Sequence, residues 1–179
     1  MRIFPLCLAL ALSGIAGCQM DKPGKTVFDV GTGSGTRFAV GGFHYLDEGR
    51  GAYAAMHGDL GEGAGTNYDG ILGSGGFPGD TKTGEVTRPL GLSGGLTYRA
   101  HEKLGVFLGG AFTTLTTYYN FYDPMHILDP SGNYNVTGEE ETRMGLEFGA
   151  HIFISERHAL GIRKDVASDI TMFTLGFSF

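Results

Sequence analysis

Apolar residues alternate with small or polar ones along the last ten positions of the chain, 170–179. A period of two residues is typical of a β-strand, because successive side chains of a strand point to opposite faces. A soluble sheet would turn the apolar face inward, whereas a membrane barrel turns it outward to lipid. The apolar face consists of Phe173, Leu175, Phe177 and Phe179, and the other face of Met172, Thr174, Gly176 and Ser178.

Similar alternation, interrupted by glycine-rich or polar turns, predicts seven further strands. We place the eight strands at residues 26–33, 36–46, 51–60, 90–99, 104–119, 141–155, 159–164 and 170–179. The connections are short turns at 47–50, 100–103 and 156–158, and long loops at 61–86 and 123–138. Short turns and long loops then fall at opposite ends of the sheet. The predicted fold class is all-β, an eight-stranded antiparallel up-and-down β-barrel.

The C-terminus resembles the last strand of outer-membrane β-barrel proteins of Gram-negative bacteria. In those proteins the strand ends in Phe, with apolar residues two, four and six places before it, as at Phe179, Phe177, Leu175 and Phe173. The loop layout over residues 26–179 is similar to that of OmpA and OmpX barrels. The resemblance implies a transmembrane barrel, an assembly signal formed by these four residues, and the barrel-assembly machinery as a partner.

The first seventeen residues predict an export signal, with one charge at Arg2, an apolar stretch over 3–12 and small residues after it. The apolar stretch is shorter than the ~20 residues that a membrane helix needs. The tetrapeptide Ile15-Ala16-Gly17-Cys18 resembles a bacterial lipobox. That resemblance implies acylation of Cys18 and, because Gln19 replaces the retaining Asp, delivery to the outer membrane by the lipoprotein-sorting machinery. The alternative is an ordinary signal peptide with an incidental cysteine.

These assignments divide the chain into a signal peptide at 1–17, a lipidated tether at 18–25 and a barrel at 26–179. The two cysteines are Cys7, within the signal, and Cys18. The processed chain would therefore have no thiol for a disulfide, a metal or a nucleophile, and we expect no cofactor. The formal net charge of −6 has the wrong sign for nucleic-acid binding. Charged residues make up only 18%, which is low for a surface that meets water on all sides.

Aromatic residues are expected at both membrane interfaces of such a barrel. Four near the second long loop predict an outer girdle, and two near the short turns an inner one. The outer set is Tyr118, Tyr119, Phe121 and Tyr122, and the inner set is Tyr98 and Tyr45.

Ionisable residues repeat on the inward face of the sixth predicted strand, at Arg143, Glu147 and His151, followed by Ser155. Four-residue steps along a strand separate side chains by ~13 Å, too far for a Ser-His-Glu catalytic set. We therefore predict a polar network that fills the lumen, completed by Arg99 and Arg163 from other strands.

Two strand registers follow from the same alternation. Around the three-residue turn 156–158, we expect His151 to lie opposite Arg163. Around the four-residue loop 166–169, we expect Leu160 opposite Leu175 and Ile162 opposite Phe173.

Other candidate sites carry weaker signals. Acidic residues Asp59, Glu62, Asp69 and Asp80 could gather around calcium, but their spacing matches no ordered ligand loop. His126, between two aspartates, is a similarly weak metal candidate. The glycine run at 31–35 lacks the Lys-Ser/Thr and the helix of a phosphate-binding loop, so it predicts a hairpin turn.

Three functional classes stay open from the sequence. A side-chain-filled barrel without an open pore would serve a structural or surface-interaction role, through an unidentified ligand at the long loops. An enzyme acting on lipid A or phospholipid is an alternative, although no His-x-Ser deacylase signature is present. A soluble lipocalin-like barrel is another, although it would need charged residues outside, and Trp is absent.

Overall fold

The alternating segments form nine β-strands in the computed structural model, which describes residues 24–33, 36–61, 63–68 and 71–179. The predicted signal peptide, Cys18 and most of the tether lie outside the described residues. None of the described residues form a helix long and apolar enough to cross a membrane. The strands are β1 (Gly24–Thr32), β2 (Arg37–Leu46), β3 (Arg50–Asp59), β4 (Thr66–Asn67), β5 (Thr81–His101), β6 (Leu104–Tyr122), β7 (Asn133–Phe153), β8 (His158–Asp165) and β9 (Ile170–Ser178).

Eight of these strands close into a ring in which all neighbours are antiparallel. The order is β7-β6-β5-β3-β2-β1-β9-β8, and β8 pairs with β7 to complete the circle. Closure gives every barrel strand a partner on each side, so no sheet edge is left around the ring. The predicted eight-stranded up-and-down barrel is confirmed. The ninth strand, β4, has two residues and lies parallel to β7.

Three neighbouring strands are much longer than the others. β5, β6 and β7 have 21, 19 and 21 residues, while the remaining barrel strands have 8 to 10. Their extra length continues past the barrel as a sheet, which we call the protruding sheet. It comprises residues 81–89, 115–122 and 133–143 together with β4.

The predicted starts at 90 and 141 were too late, because residues 81–89 and 133–140 also lie in strands. Part of each predicted long loop is therefore sheet. Glycine and charged residues such as Gly84, Glu85 and Glu139 hide the alternation there. Pairing with β6 supplies the hydrogen bonds that keep these segments extended, as at Val86 opposite Tyr118.

One face of the last strand is buried and the other is exposed, as the alternation along it predicted. Ile170, Met172, Thr174, Gly176 and Ser178 are buried, while the intervening residues are exposed. The same division holds on the neighbouring strands β5 to β8, so with β9 this part of the outer surface forms an apolar belt, which we call the exterior belt. Its members include Leu92, Leu96, Leu108, Phe112, Leu146, Phe148, Ile152, Leu160, Ile162, Phe173, Leu175 and Phe177.

The register of the last hairpin is confirmed, with Leu160 opposite Leu175 and Ile162 opposite Phe173. The register predicted between the two preceding strands is wrong. His151 lies opposite Gly161, and Arg163 lies opposite Gly149. The turn spans residues 154–157, and the backbone amide of Ile154 donates to the carbonyl of His158. A two-residue shift leaves every side chain on its predicted face, so alternation alone could not expose the error.

Aromatic side chains fill much of the barrel interior. Phe43 stacks on Tyr53 with ring centroids 5.1 Å apart and meets Phe107 at 4.7 Å. Tyr45, predicted in the inner girdle, is fully buried in this cluster, so that prediction is wrong. Phe121, predicted in the outer girdle, is also buried, within the protruding sheet.

Glycines on facing strands make room for these rings and let the strands approach. The Cβ of a side chain at Gly109 would lie 2.1 Å from the carbonyl oxygen of Gly94, which is backbone and cannot move aside. At the neighbouring Gly110, on the outer face, the nearest heavy atom to such a Cβ is 3.9 Å away. The barrel therefore excludes side chains at Gly109 and tolerates them at Gly110.

We predict that Gly109→Ala lowers the free energy of unfolding by about 1–3 kcal/mol, as overpacking does in other cores. Gly110→Ala, the matched control one residue away, should leave stability unchanged or slightly raised. Urea unfolding of the folded barrel in phospholipid vesicles, followed by circular dichroism, measures both. Equal stability of the two variants would contradict the close approach at Gly109.

Candidate functional site

Six of the ionisable side chains that the structure describes meet inside the barrel, each of them at most 1% exposed. They come from β1, β3, β7 and β8, and we call them the interior cluster. Arg163 donates from Nη2 to Oε1 of Glu147 at 2.6 Å, and its Nη1 lies 3.8 Å from Oδ1 of Asp29. Burial of such charges is costly unless they are paired. The members are Asp29, His57, Glu147, His151, Arg163 and Asp165.

His57 stands between two carboxylates. Its Nδ1 lies 3.4 Å from Oε2 of Glu147, and its Nε2 lies 2.9 Å from Oδ2 of Asp165. A carboxylate only accepts hydrogen bonds, so each ring nitrogen is best satisfied when it carries a proton. The geometry therefore places the His57 ring as a bridge between the two carboxylates.

A second chain of hydrogen bonds joins Asp29, His151 and Tyr45. The distance from Oδ2 of Asp29 to Nε2 of His151 is 3.1 Å, and from Nδ1 of His151 to the Tyr45 hydroxyl it is 2.7 Å. This arrangement resembles the acid–base chain of a hydrolase. All three side chains are fully buried, however, so no substrate can reach the hydroxyl. Together with Thr113, which donates to Asp165 at 2.9 Å, the cluster ties distant strands together across the lumen.

Two residues predicted for the lumen lie elsewhere. Arg99 is at the β5–β6 turn, where it pairs with Asp47 and donates to the carbonyl of Glu102 at 3.2 Å. Arg143 is exposed and donates twice to Glu141, at 2.9 and 2.7 Å. Its part of β7 extends past the end of β8, where the pairing of the two strands stops at Glu147 and Asp165. The structure brings together only Glu147, His151 and Arg163 of the predicted network.

The prediction missed Asp29, His57 and Asp165. The first two lie at inward positions of the predicted strands 26–33 and 51–60, so the alternation carried a signal for them. Asp165 lies one residue beyond the predicted strand 159–164. The alternation could therefore have predicted which of these residues face the interior. It could not have predicted which of them pair with one another.

The weaker candidates that the structure describes have other partners. Ser155 Oγ bonds to Nδ1 of His158 within a turn at 3.0 Å. Asp59 binds Arg88 at 2.7 Å, and Asp80 accepts from the Tyr134 hydroxyl at 2.7 Å. Glu62 and Asp69 lie outside the described residues. Among the residues that the structure describes, no group of three or more His, Cys, Asp or Glu is arranged to hold a metal.

The protruding sheet has a small hydrophobic core of its own. Phe121, Tyr134 and Val136 are buried, and the rings of Phe121 and Tyr134 stack at 5.4 Å. The Tyr134 hydroxyl accepts from the amide of Phe77 at 2.9 Å, which fastens the loop between β4 and β5 to the sheet. Tyr68 and Leu128 pack against this core from the two loops.

Asp123 organises the loop after β6. Its carboxylate accepts from the amides of Met125, Ile127 and Leu128 at 2.8, 2.5 and 3.0 Å. The hydrogen bond from Leu128, with those from the other two amides, holds the pKa of Asp123 below its ordinary value. Above that pKa the carboxylate is charged and the loop keeps its shape.

The loops leave large apolar side chains exposed at the far end of the protruding sheet. Met125 is 75% exposed and Ile127 67%, and they border a cavity of about 80 Å³. Ile71 and Phe77 are exposed on the other loop. We call these four residues the tip. An exposed apolar patch of this kind, as around the cavity at Phe77, Met125 and Ile127, is typical of a contact site.

An exterior apolar belt around a charged and aromatic interior defines a β-barrel of the transmembrane class. A scan against family models finds no match, and neither does a search of curated proteins. Three solved structures of low identity are similar in fold. The chain shares 10% identity and a TM-score of 0.47 with Ail, the attachment invasion locus protein of Yersinia pestis, in complex with the heparin analogue sucrose octasulfate, over 87% of this chain and 99% of that one.

The other two structures are more distant by TM-score. Ail in a phospholipid bilayer nanodisc shares 11% identity and a TM-score of 0.43, over 88% of this chain and 99% of that one. Neisserial surface protein A, NspA, shares 7% identity and a TM-score of 0.33, over 87% of this chain and 90% of that one. All these TM-scores are below 0.5, so the function of this chain has to be argued from its own residues.

We predict that Arg163→Met destabilises the barrel by about 3–5 kcal/mol, because it removes the positive charge beside buried Glu147. Arg143→Met removes an exposed ion pair that solvent screens, and it should leave the urea midpoint nearly unchanged. Urea midpoints of the two variants in the same detergent give the comparison. Similar midpoints would show that the interior cluster does not depend on its arginine.

Proposed function

We propose that the chain is an outer-membrane β-barrel lipoprotein of the Gram-negative envelope, with a structural or surface-interaction role and no open pore. The observation that carries this proposal is the exterior belt. Lipid, the barrel-assembly machinery and the lipoprotein-sorting machinery would be its partners. Acylation at Cys18 and an assembly role for the terminal strand belong to the same proposal.

The exterior belt fits hydrocarbon better than water. Large apolar side chains occupy successive outward positions, for example Leu160 and Ile162 on β8 opposite Leu175 and Phe173 on β9. Water would have to hydrate this surface across the five neighbouring strands β5 to β9, at an unfavourable cost of roughly 25 cal/mol per Å². Strands β1, β2 and β3 have 9 to 10 residues, which matches the ~9–11 that a tilted membrane strand needs.

The interior argues for a filled barrel. Phe43, Tyr45, Tyr53 and Phe107 pack together in the lumen beside the interior cluster. Eight-stranded barrels are just wide enough for side chains to fill. This packing supports a barrel without a diffusion pore.

The ends of the barrel support one orientation. The short turns 47–49, 102–103 and 154–157 lie at the same end as the start of β1, and the protruding sheet lies at the other. In outer-membrane barrels short turns face the periplasm and long connections face outward. An acylated Cys18 would then sit in the inner leaflet, close to β1. The tip would face the cell exterior, where it could contact an unidentified ligand.

The two alternative functions, an enzyme acting on lipid and a lipocalin-like barrel, have less support. An enzyme acting on lipid would need an accessible acid–base group, and the Asp29–His151–Tyr45 chain is sealed inside the barrel. A lipocalin-like barrel would need an apolar cavity and a charged exterior, which is the opposite of the distribution here.

We predict that Phe173→Arg impairs folding into phospholipid vesicles by ~2–4 kcal/mol, because an arginine would face hydrocarbon. Phe173 is 67% exposed on the barrel exterior, so the substitution does not alter packing in the barrel interior. Thr83→Arg on the protruding sheet, also exposed, adds the same charge outside the belt and should be neutral. Electrophoresis with and without boiling, across a urea series, reports the folded fraction. A Phe173→Arg variant that folds like the Thr83→Arg control would overturn the membrane assignment.

The orientation of the barrel in the membrane can be tested by labelling single introduced cysteines. The thiol of Cys18 is proposed to be acylated, so it would not react. We predict that Ser74→Cys, in the loop beside the tip, reacts with a membrane-impermeant maleimide on intact cells. Glu48→Cys, in the β2–β3 turn, should react only after the outer membrane is permeabilised. Both positions are exposed, and the parent protein is the blank. The reverse pattern would place the protruding sheet in the periplasm.

A further inference from the structure

The exterior belt is interrupted by a hollow of about 670 Å³ on the β7–β8 side of the barrel. Its outward-facing lining is apolar at Leu108, Phe148, Ala150 and Ile162, and ends in Lys164 and Thr171. Ala150 lies in a cross-strand row between Val106 and Ile162, so a methyl group stands where both neighbours are larger. The hollow is of the size in which proteins hold small ligands, about 300–1,000 Å³.

Lys164 is a cation on an otherwise apolar face. It lies opposite Phe148 on β7 and Thr171 on β9, one residue before the end of β8. Its side chain is 30% exposed, and Nζ donates to Oδ1 of Asp169 in the β8–β9 turn. A lysine at this depth can lay its methylene groups along apolar surface and direct its charge to the interface.

A second cation lies close to the Lys164 end of the hollow, outside its lining. It is Arg37, whose side chain and the backbone of Thr171 both flank Gly33. The hydrogen bond and charge of Lys164, and then the charge of Arg37, hold the pKa of Asp169 below its ordinary value. Asp169 therefore carries one negative charge against two positive ones. Its carboxylate is 90% exposed, so solvent weakens its hold on Lys164.

We propose that this hollow binds one anionic lipid, with an acyl chain along Leu108, Phe148, Ala150 and Ile162 and a phosphate headgroup at Lys164. The inference rests on the proposed membrane-spanning function. Asp169 competes with the phosphate for Lys164 and thereby limits the affinity. Lys164 lies toward the end of the barrel that carries the protruding sheet, so the lipid would belong to the outer leaflet.

The test is native mass spectrometry of the full-length folded barrel. The protein is mixed in detergent with equal amounts of phosphatidylglycerol and phosphatidylcholine that have identical acyl chains, and the lipid that stays bound after release from detergent is measured. We expect the parent to retain the anionic lipid preferentially. Lys164→Gln should reduce this preference about fivefold, the effect of one basic residue near a lipid surface. Lys82→Gln removes a lysine from the protruding sheet, where it pairs with Glu85, and should leave the preference unchanged.

Two further variants separate the headgroup from the chain. Asp169→Asn removes the competing carboxylate and should strengthen retention of phosphatidylglycerol, and asparagine tolerates the φ of 55° at this position. Ala150→Leu fills the hollow and should weaken retention of both lipids equally. Inorganic phosphate alone should neither bind detectably nor displace the lipid, and its displacement of the lipid would identify a phosphate site instead.

The outcomes distinguish this proposal from the membrane assignment. If the parent fails to fold into vesicles, the membrane assignment fails and takes the lipid site with it. If the parent folds but shows no preference between lipids, or if Lys82→Gln matches Lys164→Gln, only the lipid site is overturned. Unchanged retention in Ala150→Leu would likewise overturn the assigned position of the chain.

Discussion

The demand that the barrel's outer surface be apolar determines where nearly all its polar chemistry lies. Where Leu, Ile and Phe occupy the outward positions, as on β8 and β9, inward positions are the main ones left for charged side chains. There they must satisfy one another in a space with no room for bulk water. The pairing of Arg163 with Glu147 at 2.6 Å and of His57 with two carboxylates follows from that confinement.

Aromatic packing and ionic pairing share the same narrow interior, and each depends on the other. Phe43 packs against the ring of His151 with centroids 4.7 Å apart. His151 in turn holds the Tyr45 hydroxyl and Asp29. Glycine permits this crowding: at Gly105 an added Cβ would fall 2.4 Å from the Tyr45 ring. The interior is therefore a packed core with a polar centre, in which a change to one layer is felt in the next.

The exposed residues of the protruding sheet differ from those of the barrel, because the sheet lies beyond the exterior belt. On β7, for example, Met144 and Leu146 are exposed and apolar at the barrel, while Glu139, Glu140 and Glu141 are exposed further out. Its own core at Phe121, Tyr134 and Val136 packs the sheet beyond the ring. The tip is thus carried on a stiff extension, a suitable arrangement for contact at a distance from the membrane surface.

The sequence alone determined the number of barrel strands, the outward face of the last strand and the register of the last hairpin, since a two-residue period specifies faces and a four-residue loop specifies one pairing. It did not determine the β7–β8 register, because a shift by two residues preserves every face. Nor could it show that β7 continues past the lumen, which leaves Arg143 exposed and paired with Glu141. The partners of His57 come from strands distant in the chain, and only closure of the ring brings them to one side chain.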